Sequence, residues 1–345
     1  MKSVDVILFG VGQTDLAAAQ QLIDMKFDIT AVYTLNSSVN EDVGTLAGRE
    51  PLGVRVKLLE EFSPTQAKAD VALFCTTGSP YDLLETPKQC LEAGINVITL
   101  AEGATYPWTY DEALSKELDD AGKRGGVSLA STGMTDTYMV HLPVVLASTV
   151  PNVRRVEVTI IGDFGRLGPC ALNEMPLGLA PADFAAMMES PPPKDAKPPP
   201  SISGQCLEAM VSLMGLGPGE INTVLDIILA KQDIEVKTTG KTISAGTISG
   251  LIENVEMMTK EGIELSINFS AEIFDDDKPE EQCVTIQSRN GEKLVVEASP
   301  IPGVEFTVAI AINRIFDIIA ASPGLQTIDR LPAPLFRLSN NNEKD

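Results

Sequence analysis

Glu102 closes the apolar run INVITLAE, where a carboxylate has chemistry open to it that a solvated surface acid lacks. If partly buried at the end of a strand, such an acid has a raised pKa and can exchange a proton with a substrate. It can equally hold a cation. A protonated amine or an iminium would suit it; a carboxylic acid substrate would be repelled. The plainer reading is a surface or helix-capping acid ahead of GATYPW. Tyr106 and Trp108 follow at once, and with Tyr138 they could wall an apolar substrate pocket or simply fill core. His141, the only histidine, sits in the apolar segment MVHLPVV, where a packed side chain competes with a catalytic one. One histidine rules out a multi-histidine metal site, and no metal is expected. Thr307 and Asn313 read either as pocket residues or as ordinary polar groups of a helix.

A second constellation lies near the N-terminus. Gly10-Val11-Gly12-Gln13-Thr14-Asp15 follows a strand and opens a helix, matching the first two glycines of GxGxxG. The first glycine allows a tight turn. The second lets backbone approach a pyrophosphate at the helix N-terminus. Aspartate replaces the third, and its carboxylate would lie near an anionic ligand. The reading is a dinucleotide loop formed by Gly10, Gly12, Gln13 and Thr14, against a plain structural turn. An NAD-specific site usually ends its second strand in an acid that binds the ribose 2′-hydroxyl. Here Thr34 stands there, followed by Leu35, Asn36, Ser37 and Ser38. No acid opposes a 2′-phosphate and Thr34, Asn36, Ser37 and Ser38 could bind it, so NADP is preferred over NAD. Thr76, Thr77 and Gly78 end another strand and read as cofactor contacts or as a helix cap. Ala101 and Gly133, at further strand ends, complete the candidate cofactor set.

These residues need a parallel sheet to bring them to one edge, and the sequence supplies its pattern. VDVILF (4–9), DITAVYT (28–34), DVALFCTT (70–77), INVITLAE (95–102) and VSLASTG (127–133) read as buried strands. Between them LAAAQQLIDM, PYDLLETPKQCLEAG (80–94) and YDEALSKELDDAGKRGG (110–126) read as helices. Buried strands alternating with helices specify a Rossmann-type doubly wound parallel sheet, class α/β. After residue 133 the character changes. VRRVEVTIIGDF (153–164) is strand-like, SPPPKDAKPPPS (190–201) is a proline-rich extended insert, and ISGQCLEAMVSLMGLG (202–217) is helical. The strand-rich segments beyond it, with hairpin signals at DDDKPEE and RNGE, predict an α+β second domain with a largely antiparallel sheet. FTVAIAINRIFDIIAASPG (306–324) reads as a helix stopped by Pro323-Gly324. The expected organisation is a dinucleotide-binding domain at 1–133, a substrate and oligomerisation domain at 134–305, and a C-terminal helix and tail at 306–345 that return to the first domain.

Composition narrows the partners. The 345 residues carry a net charge of −22, which repels a phosphate backbone and argues against nucleic acid. The N-terminus does not read as a signal peptide, and no apolar run approaches the roughly 20 residues of a membrane helix, so no membrane partner is expected. The five cysteines have no CxxC spacing and read as reduced thiols of a cytoplasmic protein.

ITLAEGATYPW, VGTLAGREPLGVRV, VRRVEVTIIGDFGRLGP and VAIAINRIFDIIAASPGLQTIDRLPAP together resemble the 2,4-diaminopentanoate dehydrogenase and native amine dehydrogenase family. The resemblance runs over nearly the whole chain and implies a dihydrodipicolinate-reductase-like dinucleotide domain. It implies NAD(P)-dependent oxidative deamination of an amine to a carbonyl, with reductive amination by ammonia in reverse. The family's catalytic glutamate falls on Glu102, and a homodimer is expected. Two positions depart. The family's second acid is Gly103 here, and its Gly-x-Asn-Pro-Gly-Phe turn reads Gly133-Met134-Thr135-Asp136-Thr137-Tyr138. A diamine substrate would want a second acid, for which Asp136 and Asp163 are candidates. The competing readings are a reductase of a cyclic imine or semialdehyde, and a non-catalytic NAD(P)-binding regulatory protein.

Overall fold

The computed structural model describes residues 3–35, 37–75, 79–168, 172–173, 175–189, 201–275 and 278–337. The proline-rich insert as far as residue 200, Asn36, Thr76, Thr77, Gly78 and Cys170 lie outside the described residues. The chain divides into two compact units, Met1–Thr137 with Val304–Asp345, and Tyr138–Gly303.

The first unit is built on a parallel sheet of β1 (Asp5–Phe9), β2 (Asp28–Thr34), β3 (Val56–Leu58), β4 (Val71–Phe74), β5 (Asn96–Thr99) and β6 (Ser128–Ser131). A last short strand, β15 (Gly324–Leu325), joins from the C-terminal segment, and the order is β15-β6-β5-β4-β1-β2-β3. Both faces are covered, which is why the strands read as continuous apolar runs. Along β1, Val6 and Leu8 enter one core while Ile7 and Phe9 enter the other. The first core is closed by helix Gln13–Asp24 and by helix Gly303–Ala320 through Val308, Ala311, Ile312, Ile315 and Ile318. The second is closed by helices Thr86–Glu92 and Glu112–Gly125 through Cys90, Leu91, Leu114, Leu118 and Ala121. The chain runs outward from β1 to β3, then crosses back to β4. The switch point therefore falls between β1 and β4, where this class of sheet opens its ligand crevice.

One local expectation changes. Residues 80–94 form not one helix but a 3-10 turn, Pro80–Leu84, followed by helix Thr86–Glu92. Pro87 lacks the N–H that a helix interior needs and is tolerated only in a first turn, so the helix starts afresh beside it. Strands β3 and β15 are too short to show a periodicity.

The second unit holds a six-stranded sheet, β14-β13-β7-β12-β11-β8. Its members are β7 (Val153–Asp163), β8 (Ile221–Leu229), β11 (Ile248–Met258), β12 (Glu264–Glu272), β13 (Glu281–Ser288) and β14 (Lys293–Ala298). A separate hairpin pairs β9 (Ile234–Val236) with β10 (Lys241–Ile243). RNGE makes the expected hairpin between β13 and β14. DDDKPEE does not make one. β7 lies between β12 and β13 and pairs parallel with the former, so that connection steps over a strand instead of reversing beside it. Val156, Val158 and Ile160 of β7 are buried in alternation, and helices Leu142–Ala147 and Ile202–Met214 pack on this sheet.

Candidate active site

In a parallel sheet all strands end at the same edge, so the turns after β1, β4, β5 and β6 come together there. The turn after β5 carries Glu102. Leu100 and Ala101 continue extended from β5, and Glu102 opens a 3-10 turn, Glu102–Ala104, half-buried. The turn is tied on several sides. The Ala101 N–H donates to Thr99 Oγ1 at 3.1 Å, and Ser131 Oγ of β6 donates to the Ala101 carbonyl at 2.8 Å. The Tyr110 hydroxyl donates to the Gly103 carbonyl, and the Thr105 N–H to the Glu102 carbonyl at 3.1 Å. Backbone held in this way fixes the point from which the Glu102 side chain projects before any ligand arrives, which favours a preorganised charge.

Gly103 has a steric cause. A Cβ there would stand 2.8 Å from Cγ of Pro80, which opens the turn beyond β4. No side chain fits without displacing that ring, so this position holds no second acid. Asp136 offers none either. It is fully buried, its Oδ2 and Oδ1 accept from Arg314 Nε and Nη2 at 2.7 and 2.8 Å, and Thr132 Oγ1 donates to it at 2.6 Å. A carboxylate clasped by a guanidinium is neutralised as a partner for a second ammonium, which corrects its reading as a candidate second acid.

At the end of β1, Gly12 caps helix Gln13–Asp24 in extended conformation, and Gln13 is exposed at the helix head. The first N–H groups of a helix have no partner within it and point at whatever sits on the terminus. Gly10 has φ +124°, which a side chain would strain, and a Cβ there would run into the carboxylate of Asp15. Asp15 is buried beneath the loop and accepts the Gly12 N–H at 2.9 Å. Burial pushes its carboxyl up to about 6, against the lowering effect of backbone N–H groups of Gly12, Asp15 and Cys75. Glycines at both bends, at the head of a helix, fit a dinucleotide pyrophosphate.

Thr34 ends β2, buried, its Oγ1 3.3 Å from Ser37 Oγ. Ser38 has φ +53°, in the left-handed region. Gly133 follows β6, and a Cβ on it would stand 3.0 Å from the Thr307 methyl of the C-terminal helix, so these two of the expected residues are neighbours. Half-buried Trp108 packs on the core beside β5, with the Arg330 guanidinium 5.4 Å from its ring centroid; Tyr106 precedes it, half-buried. Asn313 is spent on structure, donating to the Ala309 carbonyl and accepting from the Arg337 N–H, each at 2.8 Å.

Tyr138, His141 and Asp163 belong to the second unit. The Tyr138 carbonyl accepts from Gln282 Nε2, and its phenol is pushed up by burial. His141 is buried at the head of helix Leu142–Ala147. Asp163 caps the turn after β7, its Oδ1 accepting from the Gly165 and Phe274 N–H groups at 2.9 and 3.3 Å. A cavity of about 260 Å³ in this unit is lined by Leu172, Met175, Leu177, Val236 and Ile243 among others, and none of these three residues lines it. Among the described residues no cluster of His, Cys, Asp or Glu could hold a metal, and no helix is long and apolar enough to cross a membrane.

Arg314 is the residue of the first unit that the motifs did not announce. Its one signal is a cation within the otherwise apolar FTVAIAINRIFDIIAAS, with Asp317 one turn on. Asp15 was visible only as a departure from a motif.

Residues 137–344 match the family model of the 2,4-diaminopentanoate dehydrogenase C-terminal domain. The chain is 24% identical to a 2,4-diaminopentanoate dehydrogenase of Acetoanaerobium sticklandii, over 97% of this chain and 95% of that one. Among solved structures it is similar to an amine dehydrogenase from Mycobacterium smegmatis, with a TM-score of 0.89 and 26% identity, covering 97% of this chain and 98% of the other. A probable dehydrogenase from Thermotoga maritima shares the fold at a TM-score of 0.57 and 12% identity, covering 95% of this chain and 92% of the other.

Proposed function

Since the chain belongs to the 2,4-diaminopentanoate dehydrogenase family, we propose that it is an NAD(P)-dependent amine dehydrogenase, interconverting an amine with a carbonyl compound and ammonia. The observation that carries the reading is Glu102, a carboxylate on a pinned turn at the ligand-binding edge of the sheet. Gly10, Gly12, Gln13 and Thr14 hold the dinucleotide's phosphates, which Thr34, Ser37, Ala101 and Gly133 flank. The nicotinamide, when bound, supplies or accepts the hydride. The protein's own part is polar. Glu102 holds ammonium beside the carbonyl, takes a proton from it as the carbinolamine forms, and opposes the positive charge of the iminium that follows.

The substrate follows from the places that could carry a second acid. Gly103 is filled by Pro80, Asp136 is neutralised by Arg314 and Asp163 caps its own turn, so none of them is offered to a second ammonium. A simple aliphatic amine is the substrate class, in contrast to the diamine in the names of the relatives. The test is reduction of NADP⁺ at 340 nm with a panel of aliphatic monoamines beside 2,4-diaminopentanoate. Monoamine-dependent reduction is expected. Activity on the diamine alone would overturn the substrate assignment, and reduction with neither would favour a cyclic-imine or semialdehyde reductase or a regulatory NAD(P)-binding protein.

NADPH should bind more tightly than NADH, because no acid at the end of β2 opposes a 2′-phosphate. Thr34→Asp should reverse the order. Dissociation constants showing an NADH preference in the unmutated protein would reject this.

The enzyme is a homodimer in this reading. Helices pack on the second unit's sheet, and its edge strand β8 exposes Val224, Leu225 and Leu229, with Met258 exposed on its neighbour β11. Two-fold pairing is the commonest way to cover such a surface. Light scattering should give twice the chain mass; 36.8 kDa would speak against a dimer. Cys75, Cys90 and Cys283 carry free thiols, as suits a reducing cytoplasm.

A further inference from the structure

We propose that Asp15 couples dinucleotide binding to proton uptake: the glycine loop takes the pyrophosphate with Asp15 protonated and loses affinity as Asp15 ionises. The proposal rests on the cofactor reading above and adds a determinant of affinity to it.

Asp15 occupies the place where the motif has its third glycine. It is 6% exposed, its Oδ2 accepts the Gly12 N–H at 2.9 Å, and a Cβ on Gly12 would stand 3.1 Å from the same oxygen. A Cβ on Gly10 would overlap the carboxylate outright. The acid therefore touches both glycines around which a pyrophosphate must lie. Anion and ligand draw on one resource, the positive end of helix Gln13–Asp24.

The surroundings of Asp15 set the sign. Its partners are backbone N–H groups of Gly12, Cys75 and Asp15 itself, not cations. On its own helix the adjacent Gln13 and Thr14 are uncharged, as is Val11 in the loop from β1. From the end of β4 the Cys75 thiol faces it, and burial together with the charge of Asp15 keeps that thiol neutral. Burial already places the Asp15 carboxyl at about 6. A pyrophosphate arriving with two negative charges disfavours the carboxylate further and moves the group upward again. Below that range Asp15 is protonated in both states and binding takes up no proton. Above it, binding must add a proton, and affinity falls with rising pH by up to about tenfold per unit until the shifted value is passed.

The test measures NADH, whose phosphates stay ionised throughout, by fluorescence titration from pH 5.5 to 8.5. It is joined to calorimetry in two buffers of different ionisation enthalpy, which counts protons. The unmutated protein should weaken by tenfold or more between pH 6 and 8 and take up close to one proton per NADH at neutral pH. Asp15→Asn and Asp15→Gly should bind with little pH dependence, take up no proton, and exceed the unmutated protein in affinity at pH 8. A flat profile without proton uptake in the unmutated protein overturns the proposal, as does a slope that survives in Asp15→Asn. The proton count needs no variant, so a poorly folding substitution leaves the test intact. If no form binds NADH or NADPH at any pH, the cofactor reading falls and takes this proposal with it. Binding with identical profiles in all forms removes the role of Asp15 alone.

Discussion

Glu102→Gln lowers amination turnover by roughly 100- to 10,000-fold, the range that a lost acid–base group commands, and leaves NADPH affinity nearly unchanged. Glutamine keeps the length of the side chain and a hydrogen-bonding carbonyl, so the turn at Glu102–Ala104 should persist. Its backbone is tied through Ala101, Gly103 and Thr105. What disappears is the negative charge that holds ammonium and opposes the iminium. The loss should therefore appear in turnover and in the dependence on ammonium concentration, while fluorescence titration of NADPH remains as before. Near-full ammonia-dependent activity in Glu102→Gln would make the acid structural.

Asp136→Ala destabilises the protein by about 3 kcal/mol, the lower end for breaking a buried pair, because Arg314 keeps Asp317 Oδ2 at 3.1 Å. Arg314 and Asp136 are both 0% exposed, and their two-pronged pair joins the segment after β6 to the C-terminal helix within the first unit. Arg314→Met should cost more, about 5 kcal/mol, because it takes the guanidinium from both oxygens of Asp136 and from Asp317. The double replacement Asp136→Val with Arg314→Met should recover most of the loss, because desolvation of both charges disappears together. Asp317 would still have Arg337 at 2.7 Å. Urea denaturation read as midpoint shifts measures all three. Additive losses in the double variant would mean that the two residues act separately.

Much of the first unit is legible because its physics is local. Strands β1, β2 and β4 to β6 are buried on both faces and announce themselves as apolar runs, and glycines mark the bends between them. The parallel arrangement follows from the alternation with helices, and from it the shared edge that carries Gly10, Gly12 and Glu102. Long-range choices are less visible. DDDKPEE looks like a hairpin because turn residues stand between two strands, but nothing in those residues says that β7, from far earlier in the chain, takes the place between β12 and β13. The break between Leu84 and Thr86 was marked by Pro87, whose effect depends on its place in a helix. At the site, the emptiness at Gly103 reads as a missing acid in sequence and as the imprint of Pro80 in three dimensions. Asp136 reads as a candidate second acid until Arg314, distant in sequence, is found on both its oxygens.

The reaction itself is tested most directly by following both of its incoming atoms. The protein is supplied with an aliphatic ketone, NADPH carrying deuterium at the transferable position, and ¹⁵N-labelled ammonium, and the product is analysed by mass spectrometry. The expected product is an amine that carries deuterium and ¹⁵N on the same carbon, formed at a rate that depends on ammonium. A deuterated alcohol formed at the same rate with or without ammonium would contradict the proposed reaction.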